Sequence, residues 1–482
     1  MNISMILRIL GWILKFEGLF MLLPCMVSLI YKETDGYYYL MTAIVCWILG
    51  FILTRKKVNK NEFYIKDGLV SVSVGWLLLS FMGTFPFFLS GAIPSFSNAL
   101  FESVSGFTTT GVSILSNIES LSRTNLFWRC FTHFIGGMGV LVFILAIIPL
   151  SGGSSIYLMR AESPGPSVSK FVPKIRNSAK ILYLIYIGIT LVEIILLFLA
   201  GVPLFDSITL SLATTGTGGF AIKNDSIASY SPAAQWIVAI FMILCGINFN
   251  IHFLILMRKG KEVLKSSELR LYSILIVLSA ILISFNIRGL YSSVSEIIRV
   301  SLFQVSSMIT TTGFFTVNYN GWPEFSKCIL IILMFVGACA GSTGGGIKLS
   351  RIIILFKSLK SELDHYLHPK MVKKQKMSGK PLESNVIKSV NAFMIAYVFI
   401  FLGSLLLISL DNNDFTTNFA AIMATINNIG VGFGLVGPYE NFDLFSTFSK
   451  FVLMFNMIVG RLELFPVLIL LVASTWKDSF KK

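Results

Sequence analysis

The chain has 482 residues, of which 55% are hydrophobic and only 13% charged, with a mean hydropathy of +0.78 and a formal net charge of +15. A soluble chain carries roughly a quarter charged residues, so this composition excludes an ordinary soluble domain and defines a polytopic membrane protein. The surplus of Lys and Arg does not point to nucleic acid, because it is confined to alternate connections at 55–66, 160–180, 258–270, 348–388 and 477–482.

The opposite connections, such as 31–37, carry few positive charges and several acids. This is the positive-inside pattern, and it places both termini in the cytoplasm. The basic loops then face anionic lipid headgroups or an acidic cytosolic partner. Apolar stretches of about the 20 residues a span needs fall at 5–30, 37–54, 67–90, 125–150, 179–200, 233–257, 269–287, 326–357 (interrupted), 385–409 and 445–475. The first lacks a small-residue cleavage site after it and reads as a retained helix.

Taken in chain order, residues 1–60 form an N-terminal transmembrane hairpin. Four units of about a hundred residues follow: pore unit 1 (61–160), pore unit 2 (161–262), pore unit 3 (263–360, with an interrupted second helix), and a cytosolic loop with pore unit 4 (361–482). Each unit has an apolar span, a short segment opened by turn-type residues, a glycine-centred string and a second span. Pro94-Ser95-Phe96 opens one short segment and Pro203-Leu204-Phe205-Asp206 another, both reasonable helix starts.

The four strings are Thr108-Thr109-Thr110-Gly111, Thr215-Gly216-Thr217-Gly218-Gly219, Thr310-Thr311-Thr312-Gly313 and Asn427-Asn428-Ile429-Gly430. One such string would mean little. Four in matching contexts imply four re-entrant loops around one axis, with Gly111, Gly218, Gly313 and Gly430 at similar positions. The fold class expected is therefore all-α and polytopic: four pseudo-equivalent helix–pore loop–helix units around a central pore, plus the hairpin. The plainer alternative, four ordinary extracellular loops, leaves the apolar short segments exposed.

An ion filter built this way needs oxygens that replace the hydration shell, and peptide carbonyls supply them without a fixed charge. Glycine permits the backbone angles that turn carbonyls toward an axis, and a helix ending before the string directs its negative dipole end at a cation. Glu102 lies too far ahead of Gly111 to bind the ion and is expected to brace the filter. Six cysteines without close pairing support neither disulfides nor a thiolate metal site. His365 and His368 read as solvated loop residues, and no hydrolase-type dyad is present.

These strings, with Asn427-Asn428-Ile429-Gly430-Val431-Gly432 and Gly460-Arg461-Leu462-Glu463, resemble the Trk/Ktr/HKT superfamily of potassium transporters over essentially the whole chain, most closely its TrkH branch. The resemblance implies a fourfold pseudosymmetric pore with potassium held by carbonyls of Thr109, Thr110 and Gly111, Thr217 and Gly218, Thr311, Thr312 and Gly313, and Asn428, Ile429 and Gly430. It implies a bacterial plasma-membrane transporter, a homodimer of pores, and a cytosolic nucleotide-binding regulatory subunit of the TrkA type. Any nucleotide would sit on that partner, with no organic cofactor on this chain. No unit has a longer Thr-Val-Gly-Tyr-Gly run, so looser discrimination against sodium is expected. Coupled symport with sodium or protons is the alternative; it needs buried carboxylates near the path, where only scattered acids such as Glu193 are seen.

Residues 337–348, Gly-Ala-Cys-Ala-Gly-Ser-Thr-Gly-Gly-Gly-Ile-Lys, interrupt an apolar span. Each glycine costs a helix about 1 kcal/mol relative to alanine, so the helix should break here. Ile347 between Gly346 and Lys348 excludes a phosphate loop; close packing of small residues remains open. The resemblance makes Gly341, Ser342, Thr343, Gly344, Gly345, Gly346 and Lys348 a gate beneath the filter, with Arg461 projecting beside it. Arg461 also has an alternative, a salt bridge to Glu463 or another buried acid.

Overall fold

The computed structural model describes residues 1–55, 64–139, 175–369 and 375–477. Six helices among them are long and apolar enough to cross a membrane, or seven if one sharply bent pair counts as a span. The sole strands among these residues are a short antiparallel ribbon, Lys376–Met377 against Lys380–Pro381.

The N-terminal hairpin pairs Ile3–Tyr31 with Gly36–Thr54. Its tip carries the acids of the 31–37 connection, and they cap the helix Arg123–Met138. Glu33 accepts the N–H groups of Arg123 and Thr124, each at 2.9 Å, while Asp35 accepts from Ser122 Oγ at 2.5 Å and Asn125 Nδ2 at 2.8 Å. First-turn N–H groups lack partners within their own helix and favour negative charge. The hairpin is thereby fastened to the first unit.

The first helices of the four units are Ile65–Leu89, Ile175–Leu199, Ser267–Asn286 and Ser384–Ile408. The pore helices are Phe96–Phe107, Leu204–Gly216, Val294–Ile309 and Phe415–Ile426. At 12 to 16 residues and about 1.5 Å per residue, none crosses a hydrocarbon core of about 30 Å. The second helices start at Arg123, Pro232, Glu324 and Thr447. Ser122, Ser231 and Ser446 cap three of them by accepting an N–H from their first turns; Pro323 precedes the fourth.

The interruption expected in unit 3 is present: Glu324–Val336 stops, and the chain resumes as a helix at Leu349–Leu367. Three further breaks were not anticipated. The span placed at 233–257 bends by 96° between Pro232–Cys245 and Phe249–Leu256. The span placed at 445–475 ends at Arg461, passes through Glu463 and Leu464 at φ of 57° and 69°, and resumes at Phe465 ahead of Pro466. The helix expected at 125–150 ends at Met138, with Gly139 at φ 77°; the remainder of that expected span, 140–150, lies outside the described residues. All four second helices therefore stop at the corresponding place. His365 lies on the helix Leu349–Leu367 and not in a loop, although it and His368 are exposed as expected.

Candidate functional site

Each pore helix ends in the same hydrogen-bonded cap. Thr110, Gly218, Thr312 and Ile429 donate their N–H to the carbonyl five residues back, at 2.9, 3.0, 2.9 and 2.8 Å. The preceding residue donates to the carbonyl three back, at 3.1, 2.9, 3.2 and 3.2 Å. This is the Schellman pattern, which requires a left-handed residue at its apex, usually glycine. Here the apex is Thr109, Thr217, Thr311 and Asn428, at φ of 52°, 52°, 58° and 53°. A β-branched residue at positive φ is a true outlier, costing about 1–3 kcal/mol and persisting only where its surroundings dictate it.

Two residues beyond each apex stands a glycine at φ of 80° to 96°: Gly111, Gly219, Gly313 and Gly430. The equivalence expected of Gly218 with Gly111 is therefore off by one. Gly218 matches Thr110, Thr312 and Ile429, and Gly219 joins the other three glycines. The two adjacent glycines in Thr217-Gly218-Gly219 made the register ambiguous by sequence. The backbone angles decide it.

The four glycines close a ring. A Cβ built on Gly111 would lie 1.9 Å from the carbonyl oxygen of Gly218, one on Gly219 2.0 Å from that of Thr312, and one on Gly313 1.8 Å from that of Ile429. One on Gly430 would lie 2.6 Å from that of Thr110. Each string thus abuts the next in the order of the units, and the last abuts the first. The approach is too close for any side chain, so the positions demand glycine sterically as well as conformationally. Every residue of the four apices is closed to solvent.

The ring is braced from behind. Glu102, on the first pore helix, accepts from Ser113 Oγ at 3.0 Å and from the N–H of Ile114 at 3.1 Å, on the chain leaving the first string. It pairs with Arg129 at 2.5 Å, and Arg129 reaches across to the carbonyl of Ala221 at 2.8 Å beyond the second string. Glu102 is thus a brace, as expected. His133 stands one turn on: its Nδ1 lies 2.8 Å from the Gly106 carbonyl, and Nε2 accepts the N–H of Phe220 at 3.2 Å. Arg129, His133 and Gly219 escaped the sequence reading. The signal for the first two was available in kind, two ionisable side chains one helical turn apart in an apolar stretch.

Below the ring lies the glycine-rich loop. The N–H of Gly345 donates to Thr311 Oγ1 at 2.5 Å and that of Gly346 to the Asn427 carbonyl at 3.0 Å. A Cβ on Gly345 would sit 2.2 Å from that same carbonyl. Lys348, at φ 79°, turns its amine back onto the Gly344 carbonyl. Arg461 donates to the carbonyl of Thr343 at 2.8 Å and to those of Gly136 and Gly137, the latter at 2.8 Å. It therefore ties the loop of unit 3 to the second helix of unit 1 from a position in unit 4. Glu463 pairs instead with Arg351, on the helix that follows the loop. Among the described residues, no three His, Cys, Asp or Glu side chains gather as a metal site.

A helical membrane protein with four re-entrant segments closing one ring is the class this architecture defines. Comparison with known proteins sets the family: the TrkH cation transport protein family matches residues 39–481. The TrkH potassium uptake protein of Salmonella typhimurium is 36% identical over 488 residues, covering 99% of this chain and 100% of that one. The TrkG potassium uptake protein of Escherichia coli is 33% identical over 487 residues, covering 99% of each. The crystal structure of the potassium transporter TrkH from Vibrio parahaemolyticus superposes with a TM-score of 0.88 at 32% identity, covering 99% of this chain and 100% of that one. The chain belongs to the TrkH family of cation transport proteins, and it is a multi-pass membrane transporter, not an enzyme.

Proposed function

We propose that this chain takes up potassium across the plasma membrane through the ring of four glycine-centred strings. The observation that carries the reading is the cyclic contact of Gly111, Gly219, Gly313 and Gly430, each against a carbonyl of the next unit. Peptide oxygens from Thr109 to Gly111, Thr217 to Gly219, Thr311 to Gly313 and Asn428 to Gly430 replace the water of a potassium ion, the units 61–160, 161–262, 263–360 and 361–482 supplying one strand each. The pore-helix C-termini face the same centre and favour a cation. The membrane potential drives the flux, at about 2.3 kcal/mol per charge per 100 mV.

The glycine-rich loop and Arg461 are the barrier beneath the filter. Support comes from the loop's bonds to Thr311 and Asn427 and from the three carbonyls that Arg461 joins across units. Both termini face the cytoplasm, where the basic loops dock a nucleotide-binding subunit of the TrkA type, and two such chains form the working homodimer.

Rubidium flux into proteoliposomes tests this. Deleting Gly341–Gly346 raises flux at least several-fold in a correctly folded protein; unchanged flux refutes the barrier. A current reversing at the potassium equilibrium potential supports a channel-like pore, whereas reversal at a value set by two ions assigns coupled symport.

A further inference from the structure

We propose that Glu268 is the positioning residue that latches the glycine-rich loop in place; the proposal rests on reading that loop as the barrier. Glu268 sits in the first turn of the first helix of unit 3, Ser267–Asn286, and is 7% exposed. An acid there would ordinarily serve its own helix. Ser266 already caps that helix, accepting the N–H of Leu269 at 3.3 Å. The carboxylate turns instead to a different segment: Oε1 accepts the N–H of Ala340 at 2.6 Å and that of Ser350 at 3.1 Å.

These two donors bracket the loop. Ala340 precedes Gly341, and Ser350 lies in the first turn of the helix Leu349–Leu367. One carboxylate oxygen therefore pins both the entry and the exit of the segment that contains Gly341–Gly346. The latch is geometric, one acceptor oxygen shared by two backbone N–H groups, and the same contact satisfies a first-turn donor of the following helix. Lys348, the one cation of residues 337–348, is buried on the same segment and bonds the Gly344 carbonyl within it.

The position also gives the latch a cytosolic neighbour. Ser267, adjacent in sequence, meets the ribbon Lys376–Pro381 through Ser378, whose hydroxyl accepts the Ser267 N–H at 3.2 Å and lies 3.0 Å from its Oγ. Ser378 and Gly379 both have positive φ, 48° and 81°, the two-residue turn of a tight hairpin. The tip of that hairpin rests one residue from the latch.

Cys339, fully buried beside Ala340, supplies a readout of loop release that does not depend on ion flux. The experiment measures maleimide labelling of Cys339, resolved by peptide mass spectrometry, with basal rubidium flux and melting temperature on the same proteoliposome samples. Glu268→Ala speeds Cys339 labelling roughly tenfold and raises basal flux several-fold, while Glu268→Gln, which keeps an acceptor oxygen in place, stays within about twofold of wild type. Should the alanine variant not fold, Glu268→Asp keeps the charge but withdraws the oxygen by one methylene, and gives the same acceleration. Labelling at the wild-type rate in both Ala and Asp variants overturns the latch, as does a Gln variant that labels as fast as Ala. Faster labelling with unchanged flux confirms the latch and refutes the barrier role of the loop instead.

Discussion

Arg129 Nε lies 2.5 Å from Glu102 Oε1, with 2% and 0% of the two side chains exposed, and the pair joins the first glycine-centred string to the chain beyond the second. Removing one partner of a buried pair leaves an uncompensated charge, at a cost of about 3–5 kcal/mol. Arg129→Gln is therefore expected to lower the melting temperature sharply and to weaken discrimination between potassium and sodium. Arg129→Lys keeps the charge but lacks the planar fork that reaches both Glu102 and the Ala221 carbonyl, so it should recover stability only in part. Thermal unfolding in detergent, alongside rubidium and sodium fluxes, checks both; a selective and fully stable Arg129→Gln protein would remove the brace from the account.

Gly218 is a glycine for a different reason from the four glycines of the ring, Gly111, Gly219, Gly313 and Gly430. Its φ is ordinary, but a Cβ there would meet the His133 ring at 2.2 Å. The equivalent positions carry Thr110, Thr312 and Ile429. Gly218→Ala is expected to destabilise the protein by about 1–3 kcal/mol, the usual range for overpacking. Adding His133→Ala relieves the collision and makes the two changes non-additive, with a coupling of about 0.5–3 kcal/mol in a double-mutant cycle. Strict additivity of the two melting shifts would show that His133 does not set the residue at 218.

The sequence made the four pore segments readable because a turn-type start, a half-span of apolar residues and a Thr/Gly or Asn/Gly string recur in order. It made the break at 337–348 readable because so many glycines cannot hold a helix. Two of the other breaks have weaker local causes. Gly246-Ile247-Asn248 carries one glycine, and at 462–464 the chain turns through Leu-Glu-Leu, with Pro466 the only strong breaker nearby. Tertiary contacts override local preference there. The braces were hidden by distance along the chain: Arg129 meets Glu102 across 27 residues and Ala221 across 92. Register within unit 2 was hidden by two adjacent glycines, since either satisfies the pattern.

The fourth pore helix depends on Asp414, which caps it by accepting the N–H of Thr417 at 3.0 Å. The bonds from Thr417 hold the Asp414 carboxyl below its ordinary range. A depressed value in the folded state means stabilisation that is present above the unfolded value near 4 and lost as pH falls through the folded one. Asp414→Ala is expected to cost about 1 kcal/mol at neutral pH, as for other N-cap deletions. The gap from wild type should close as the pH falls below about 4. Melting curves at neutral and strongly acidic pH check this; an equal gap at both would show that the cap does not act through the ionised carboxylate.

Arg461 separates two ways of closing the path. Its guanidinium joins Thr343 in the loop to Gly136 and Gly137 in unit 1, and on the proposed reading it also sets a positive charge in the path of the cation. Arg461→Ala removes both the bridge and the charge, and basal rubidium flux is expected to rise several-fold. Arg461→Lys keeps the charge but gives a compact ammonium without the planar fork, so it loses part of the bridge. Arg461→Gln keeps a donor and loses the charge. If repulsion dominates, the order of flux is Ala and Gln high, Lys near wild type; if bridging dominates, Lys rises with Ala. Three variants that fold normally and pass rubidium no faster than wild type would leave Arg461 as a structural tie between units, with no part in the barrier.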